Sequence, residues 1–382
     1  MLIFVKIVRR INRNYAFYKF NTIYICIVYQ RLIIFSVKII CWKKVITLVK
    51  GRKGLLPLLS QFINKRSLNE VLNELKQQIK KSNKIVYFYD KLKQMYMKNV
   101  VSDEKFIIKE FKKNVGREVN LQNPVKYNDK LQWLKLNWRD PIATKCVDKY
   151  EVRELIEEKV GGDILNEIYE VYDGVDKVDI NKLPNSFVLK GTHGSGYNII
   201  CEDKNKVNWK LEFKKMHRWM SNNFYWSSRE WVYKDVKPRI IAEKFMRDFD
   251  GKPPMDYKIF CFHGEPKLIQ VDIDRFGVHK QNFYDTEWNF RDIEIWCDND
   301  KKVNIQKPIQ FDRMLQISRE LSKPFPHVRV DLYNMDDKII FGELTFFHLT
   351  GMQKFRDEEL ELEMGSWLNL KKIDSKGVYH YE

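Results

Sequence analysis

The first 69 residues contain no aspartate and no glutamate; the first acid is Glu70. The same stretch carries 14 Lys and Arg. The formal charge of +17 therefore belongs to an arm, because the remaining 313 residues hold 54 bases against 51 acids, a net of +3. A charge so confined excludes a body-wide nucleic-acid surface, and no nucleic-acid partner is expected. Cysteine is sparse. Cys26, Cys41, Cys146, Cys201, Cys261 and Cys297 are widely spaced and form no CxxC pair, which argues against a disulfide framework and for a reducing, cytoplasmic setting. A long uncharged apolar run is also missing. The best candidate for a span, Ile23–Trp42, is interrupted by Gln30, Arg31 and Lys38, and a central charge costs about 2.5–3.5 kcal/mol on insertion. Arg31 and Lys38 are seven apart and share a helical face, the pattern of a helix lying in the membrane interface. No signal-peptide cleavage pattern accompanies it. The expectation is peripheral attachment to an anionic inner membrane face, with a single span or a partner-binding basic tail as alternatives.

What the chain does have is length and apolar content. Its 382 residues are 44% hydrophobic and 31% charged, enough for a soluble body of two or three domains with a sizeable core. Gly51–Pro57 reads as a break. Leu68–Met97 has helical spacing, with Val71, Leu72, Leu75 and Ile79 on one face. Tyr127–Trp138 and Cys146–Val160 also read as helices, the second stopped by Gly161-Gly162. From Leu183 the pattern turns to strands: Phe187–Lys190, Asn198–Cys201, Ile240–Phe245, Tyr257–Phe262, Lys267–Ile273, Val328–Leu332 and Lys338–Leu344. Helices interrupt them near 211–222 and 308–322. This predicts a mixed α/β (α+β) chain of antiparallel strand pairs, not a regular βαβ alternation.

Three strings carry chemistry. In the first, an apolar strand ending in Lys190 runs into Gly191-Thr192-His193-Gly194-Ser195-Gly196 and then a second strand. It has neither the GK[ST] ending of a Walker A loop nor a GxGxxG fingerprint. A glycine hairpin of this kind can fold its backbone N–H groups and the Ser195 hydroxyl over phosphates, with Lys190 as a point charge. His193 is placed to contact phosphate or solvent. In the second, Ile240–Phe245, Glu243 stands at a strand exit where a carboxylate can accept from a ribose, and apolar neighbours such as Phe245 can cover a purine. In the third, Arg329 and Asp331 share one face of a strand, and Glu343 and Thr345 share a face of the next. The link Tyr333–Asp337 suits a hairpin that brings Asp331 near Glu343. Two close carboxylates repel unless a cation intervenes, and Mg²⁺ bridging them to phosphate oxygens satisfies both. Arg329 beside them can neutralise transferring phosphoryl charge.

In this order and spacing the strings resemble the ATP-grasp superfamily. More narrowly, residues 123–371 are similar to the teichuronopeptide-biosynthesis, TupA-like branch. The matching phrases are 148–153, 183–196, 237–243, 256–258 with 262–267, and 328–333 with 342–346. The resemblance implies two lobes closing on ATP: a lid lobe at 183–246 carrying the glycine loop and a C-terminal lobe at 247–382 carrying a Mg²⁺ site. A helical region at 70–182 and the arm 1–69 precede them. It implies that Lys149 and Lys190 hold ATP phosphates, with Gly194, Ser195, Gly196 and His193 around them. Glu243 and Phe245 would bind the adenosine, and Asp331, Glu343 and Thr345 the Mg²⁺. Arg329, Lys258 and Arg275 would serve the reacting groups. The implied reaction is ATP-dependent joining of a carboxylate to an amine through an acyl phosphate. Its substrates would be an amino acid or peptide and a uronic-acid-containing cell-surface polysaccharide or precursor. Thr345 stands where the wider superfamily usually has Asn, as in the narrower branch; the departures from the branch itself are Tyr197 in place of a glycine and His348-Leu349-Thr350 in place of a glycine-rich exit. Two other readings compete. Asp272-Ile273-Asp274 is a DxD string of the kind metal-dependent glycosyltransferases use, and residues 1–69 alone can make a non-catalytic module for membranes or polyanions.

Overall fold

The computed structural model describes residues 83–247, 251, 253–273, 279–335 and 338–381. The arm 1–69, the segment Ile23–Trp42, Asp274 and Arg275 lie outside the described residues. The helix expected at Leu68–Met97 is described from Asn83 onward as α1 (Asn83–Asn99).

The next helix, α2 (Asp103–Val115), is written plainly into the sequence. The Ser102 hydroxyl caps it by accepting from Lys105 N at 3.4 Å, Asp103 and Glu104 fill the first turn, Lys112 and Lys113 the last, and Gly116 ends it at φ 86°. Caps and charges thus satisfy the open backbone groups and complement the helix dipole. Ile107, Phe111 and Val115 recur every fourth residue and form its buried face. Helix α3 (Tyr127–Asn137) is buried on several sides, with Asn128, Asp129, Gln132 and Lys135 inside alongside Leu131 and Leu134.

The single helix expected at Cys146–Val160 is two, α4 (Pro141–Val147) and α5 (Val152–Val160). Asp148 makes the break. Its backbone is extended, and its Oδ1 accepts from the N–H of Tyr150 at 2.9 Å and Glu151 at 3.3 Å. This local turn competes with continued helix. Its Oδ2 accepts from Arg239 at 2.8 Å. The turn leaves Lys149 outside either helix.

Two antiparallel sheets organise the rest. The smaller has the order β1-β4-β2-β3, with β1 (Ile168–Tyr172), β2 (Phe187–Gly191), β3 (Asn198–Cys201) and β4 (Ile240–Lys244). Phe187, Leu189, Ile199, Cys201, Ile240 and Ala242 form its core face. Met216 and Trp219 of α6 (Trp209–Ser221) pack into the same cluster. Period-2 alternation then sends Val188, Lys190, Ile241 and Glu243 to the other face. The strand β1, upstream of Leu183, joins this sheet through β4.

The larger sheet has the order β10-β9-β5-β6-β7-β8. Its strands are β5 (Met255–Phe262), β6 (Glu265–Ile273), β7 (Lys280–Tyr284), β8 (Phe290–Arg291), β9 (His327–Met335) and β10 (Lys338–Thr345). Beyond the short α7 (Tyr225–Ser228), helix α8 (Phe311–Ser322) covers one face with Phe311, Met314, Leu315, Ile317 and Leu321 buried. Ile259, Cys261, Val328 and Val330 meet it, with Cys261 Sγ 3.9 Å from Ser318 O. The last helix, α9 (Glu358–Trp367), docks on α3, where Lys130 Nζ donates to the carbonyls of Gly365 and Leu368 at 2.8 and 2.7 Å. Cys146, Cys201, Cys261 and Cys297 are all free and buried. No helix among the described residues is long and apolar enough to cross a membrane.

Candidate active site

Alternation on the larger sheet leaves an unusual second face. Asp256 and Lys258 on β5, Gln270 and Asp272 on β6, Gln281 on β7, Arg329 and Asp331 on β9 stand on it, and all are buried. Buried charge survives only where it is compensated, and here the compensation is mutual. Lys258 Nζ contacts Asp256 and lies 3.2 Å from Asp272 and 3.8 Å from Asp331. Burial alone lowers the Lys258 ammonium, but the three carboxylates outweigh it and raise it above its ordinary range. Arg329 grips Asp331 with two parallel bonds of 2.7 and 2.6 Å, the bidentate geometry that guanidinium favours. Its Nη1 donates to His348 Nδ1 at 2.6 Å and its Nη2 to Thr345 Oγ1 at 3.2 Å.

Glu343 joins this group through an irregularity in the hairpin. Phe341 pairs with Leu332, but Glu343 pairs with Asp331, so one residue is skipped between them. That residue is Gly342, and a Cβ there would meet Asp331 O at 2.9 Å. A regular ladder would set Glu343 opposite Val330, on the wrong face. The bulge turns it over. Thr345 then falls opposite Arg329 and donates to Glu343 Oε1 at 3.4 Å. Neighbouring atoms crowd Glu343, yet 39% of its side-chain surface stays open, and Lys149 Nζ approaches its Oε2 at 3.4 Å. Burial pushes this carboxyl up, but Lys149, Arg329 and Lys258 prevail and hold it down at about 2.

The smaller sheet contributes the opposite wall. Lys190 Nζ donates to Glu243 Oε2 at 2.6 Å, and Asn166 Nδ2 reaches the same oxygen at 3.5 Å. Lys149, Arg153, Asn166, Lys190, Glu243, Met246, Tyr333, Phe341 and Gly342 line a single cavity between the sheets. Lys149 also donates to the carbonyl of Gly194 at 3.2 Å, tying the glycine loop to this wall.

The structure therefore brings Lys149, Lys190, Glu243, Arg329, Lys258, Asp331, Glu343, Thr345 and Gly194 into one region. Two residues depart from the sequence expectation. His193 is buried, its Nε2 2.8 Å from Trp219 O, so it faces α6 and not the cavity. Phe245 stacks under Arg247 at 4.8 Å, and Met246 takes the place at the cavity wall. Ser195 and Gly196 sit exposed at the loop tip. Asp272 is enclosed: its Oδ1 accepts from Gln270 at 2.7 Å and Gln281 at 3.1 Å and faces His279 at 3.4 Å, while Oδ2 faces Lys258. Saturated in this way, it offers no free oxygen to a metal. Arg153 and Asp256 lie within the phrases 148–153 and 256–258 but have no role in the sequence-based expectation, and Asn166 and Met246 carry no signal there at all. Asp256 was within reach, because it stands two residues before Lys258 on a strand. Among the described residues no group of three or more His, Cys, Asp and Glu is arranged to hold a metal ion.

Two antiparallel sheets with a glycine hairpin on one and paired carboxylates on the other define an ATP-grasp fold. A family model described as TupA-like ATP-grasp matches residues 129–369, and the chain belongs to that family. Solved structures similar to it include a D-alanine–D-alanine ligase from Bacillus anthracis complexed with ATP, at 14% identity over 53% of each chain and a TM-score of 0.31. The ATP-grasp ligase PsnB, complexed with a phosphomimetic precursor variant, Mg and ADP, shares 10% identity over 63% of this chain and 64% of its own, with a TM-score of 0.33. The Helicobacter pylori D-alanine–D-alanine ligase shares 11% identity over 65% and 68%, with a TM-score of 0.36. The chain thus spans between half and two thirds of the first two structures. No curated protein matches it.

Proposed function

We propose that this chain is an ATP-dependent, ADP-forming carboxylate–amine ligase. The observation that carries this is the cavity itself: Lys149 and Lys190, each paired with a carboxylate of a different sheet, converge on one space, and Glu343, the partner of Lys149, connects through Thr345 to Arg329 and Asp331. Lys190 and Lys149 would bind phosphate oxygens, exchanging Glu243 and Glu343 for ligand contacts. The apolar wall of Leu165, Met246 and Phe341 suits a purine, and Glu243 and Asn166 suit its polar edges or the ribose. Asp331, Glu343 and Thr345 are hard oxygen donors of the kind Mg²⁺ takes alongside phosphate and water. Glu343 is open to a cation, whereas both Asp331 oxygens are held by Arg329 in this structure, so Asp331 would have to release at least one of those bonds to bind the ion. Bound Mg²⁺-ATP supplies the phosphoryl group that activates a carboxylate for attack by an amine. Arg329, fixed by Asp331 and His348, would supply a preorganised positive charge to the developing phosphoryl charge.

The substrates suggested by family membership are an amino acid or peptide amine and a uronic-acid-containing surface glycan or its precursor. The basic arm fits this reading, since each Lys or Arg near an anionic membrane contributes about 1 kcal/mol. The test is ADP release with Mg²⁺-ATP across a panel of uronic acids and amino acids. Glu343→Gln should abolish it while circular dichroism stays native; Asp331→Asn should abolish it too, but with the loss of stability expected when the buried Arg329 pair is broken. Near-normal turnover by either variant removes the metal assignment. The full chain should also co-sediment with anionic vesicles and be partly released as salt rises; indifference to vesicle charge refutes the attachment.

A further inference from the structure

The glycine loop is fixed from below by a residue that no function yet uses. Tyr197 follows Gly196, which turns the chain at φ 74°. Its ring then lies back under the loop. A Cβ on Gly194 would meet Tyr197 Cε2 at 2.7 Å, and one on Gly191 would meet Tyr197 Cβ at 3.0 Å. The two glycines thus leave the space that this ring fills. On its far side the ring stacks on Trp219 of α6, with centroids 5.4 Å apart and planes at 13°. His193 completes the joint: its ring is 5.3 Å from that of Tyr197, and its Nε2 meets the Trp219 carbonyl at 2.8 Å. The backbone closes the same turn, Gly191 N–H donating to Tyr197 O at 2.8 Å. From above, Lys149 holds the Gly194 carbonyl.

A run of glycines left to itself samples many conformations and must give up that freedom when it closes over a ligand. Here most of that freedom is already gone, because loop, Tyr197, Trp219 and α6 form one packed layer. We propose that Tyr197 is a positioning residue that holds Gly191–Gly196 in a phosphate-ready arrangement before nucleotide arrives. The loop would act as a preset platform and not as a free flap. The ring does this by shape, since the Tyr197 hydroxyl makes no hydrogen bond among the described residues. This inference rests on the nucleotide-site reading given above.

The test is calorimetric binding of Mg²⁺-ADP and of adenosine to the full chain and three variants. Tyr197→Gly should bind Mg²⁺-ADP about tenfold more weakly, the loss expected when preorganisation is removed. Its affinity for adenosine should be unchanged, because adenosine lacks the phosphates the loop would cover. Tyr197→Phe should match the native chain for both. Phe213→Ala, which disturbs the same cluster away from the loop, should lower the melting temperature without separating ADP from adenosine. Native ADP affinity in Tyr197→Gly overturns the proposal, as does parallel loss of adenosine or a Tyr197→Phe that behaves like Tyr197→Gly. If the native chain binds neither ligand, the nucleotide-site reading fails first, and this inference with it.

Discussion

On the smaller sheet, Lys190 meets one carboxylate, Glu243, at 2.6 Å, and keeps 21% of its side chain exposed. On the larger sheet, Lys258 is enclosed by Asp256, Asp272 and Asp331, with only 8% exposed. Glu243 itself is only 8% exposed, but the pair is a single one on the cavity wall, so a ligand entering that cavity can replace for Lys190 what the carboxylate gave. A buried network cannot be opened in parts, since removing one member strands charges that water does not reach. The lid wall is thus built to trade partners and the larger sheet to hold still. Lys258→Met puts this contrast to its hardest trial. It leaves three buried carboxylates without their shared cation and should destabilise the fold by about 3–5 kcal/mol. Urea denaturation measures this directly, and a loss of under 1 kcal/mol would mean that the network is wet.

Lys190→Ala is the counterpart on the other wall. The protein should stay folded, with Mg²⁺-ATP binding weakened by about 1.5–3 kcal/mol, the range for hydrogen bonds to charged groups. A variant that unfolds but binds normally when refolded reverses the proposed division of labour.

The bulge at Gly342 separates placement from stability. Gly342→Ala must push against the Asp331 carbonyl, at a cost of about 1–3 kcal/mol for overpacking, and the cheapest relief is to restore a regular ladder. That relief moves Glu343 off the Asp331 face. ADP formation should then fall far more than the melting temperature. Equal losses in both, or no loss in activity, contradict the claim that the bulge sets the carboxylate pair.

Much of this arrangement was legible in the chain. The alternating strands around Val188, Ile259, Val330 and Ile340 show their period, and the hairpin joining Asp331 to Glu343 follows from its turn residues. The bulge was not legible, because one glycine among strand residues does not announce a change of register. The break at Asp148 was hidden by helical spacing on both sides of it. The inward turn of His193 depends on Trp219, 26 residues away, and the burial of Gln281 and Asn282 in β7 depends on Asp272 and Asp300. Polar residues on a strand read as solvent-facing until their partners are known. Local period carries the scaffold, whereas partners distant in sequence decide which polar side chains turn inward.

The same logic gives a smaller, pH-dependent effect at the far end of the larger sheet. His327 is buried and neutral: Nδ1–H donates to Cys261 O at 2.8 Å, and Nε2 accepts from the Tyr127 hydroxyl at 2.8 Å. Burial, with Arg329 nearby, lowers it to about 3 from an ordinary 6.5. The folded chain then refuses a proton that the unfolded chain takes up as pH falls below 6.5. Stability must drop with acid in the window between those values. For this one group the drop from pH 7 to 5.5 is about 1 kcal/mol. His263, lowered to about 4, acts in the same direction. His327→Gln cannot titrate and keeps a donor and an acceptor in place, so it should remove about 1 kcal/mol of the acid sensitivity. Urea midpoints at pH 7 and 5.5 for both proteins measure the difference. Identical pH slopes would mean that His327 takes a proton in the folded state, and that the larger sheet is less rigidly sealed than the contrast with the lid wall requires.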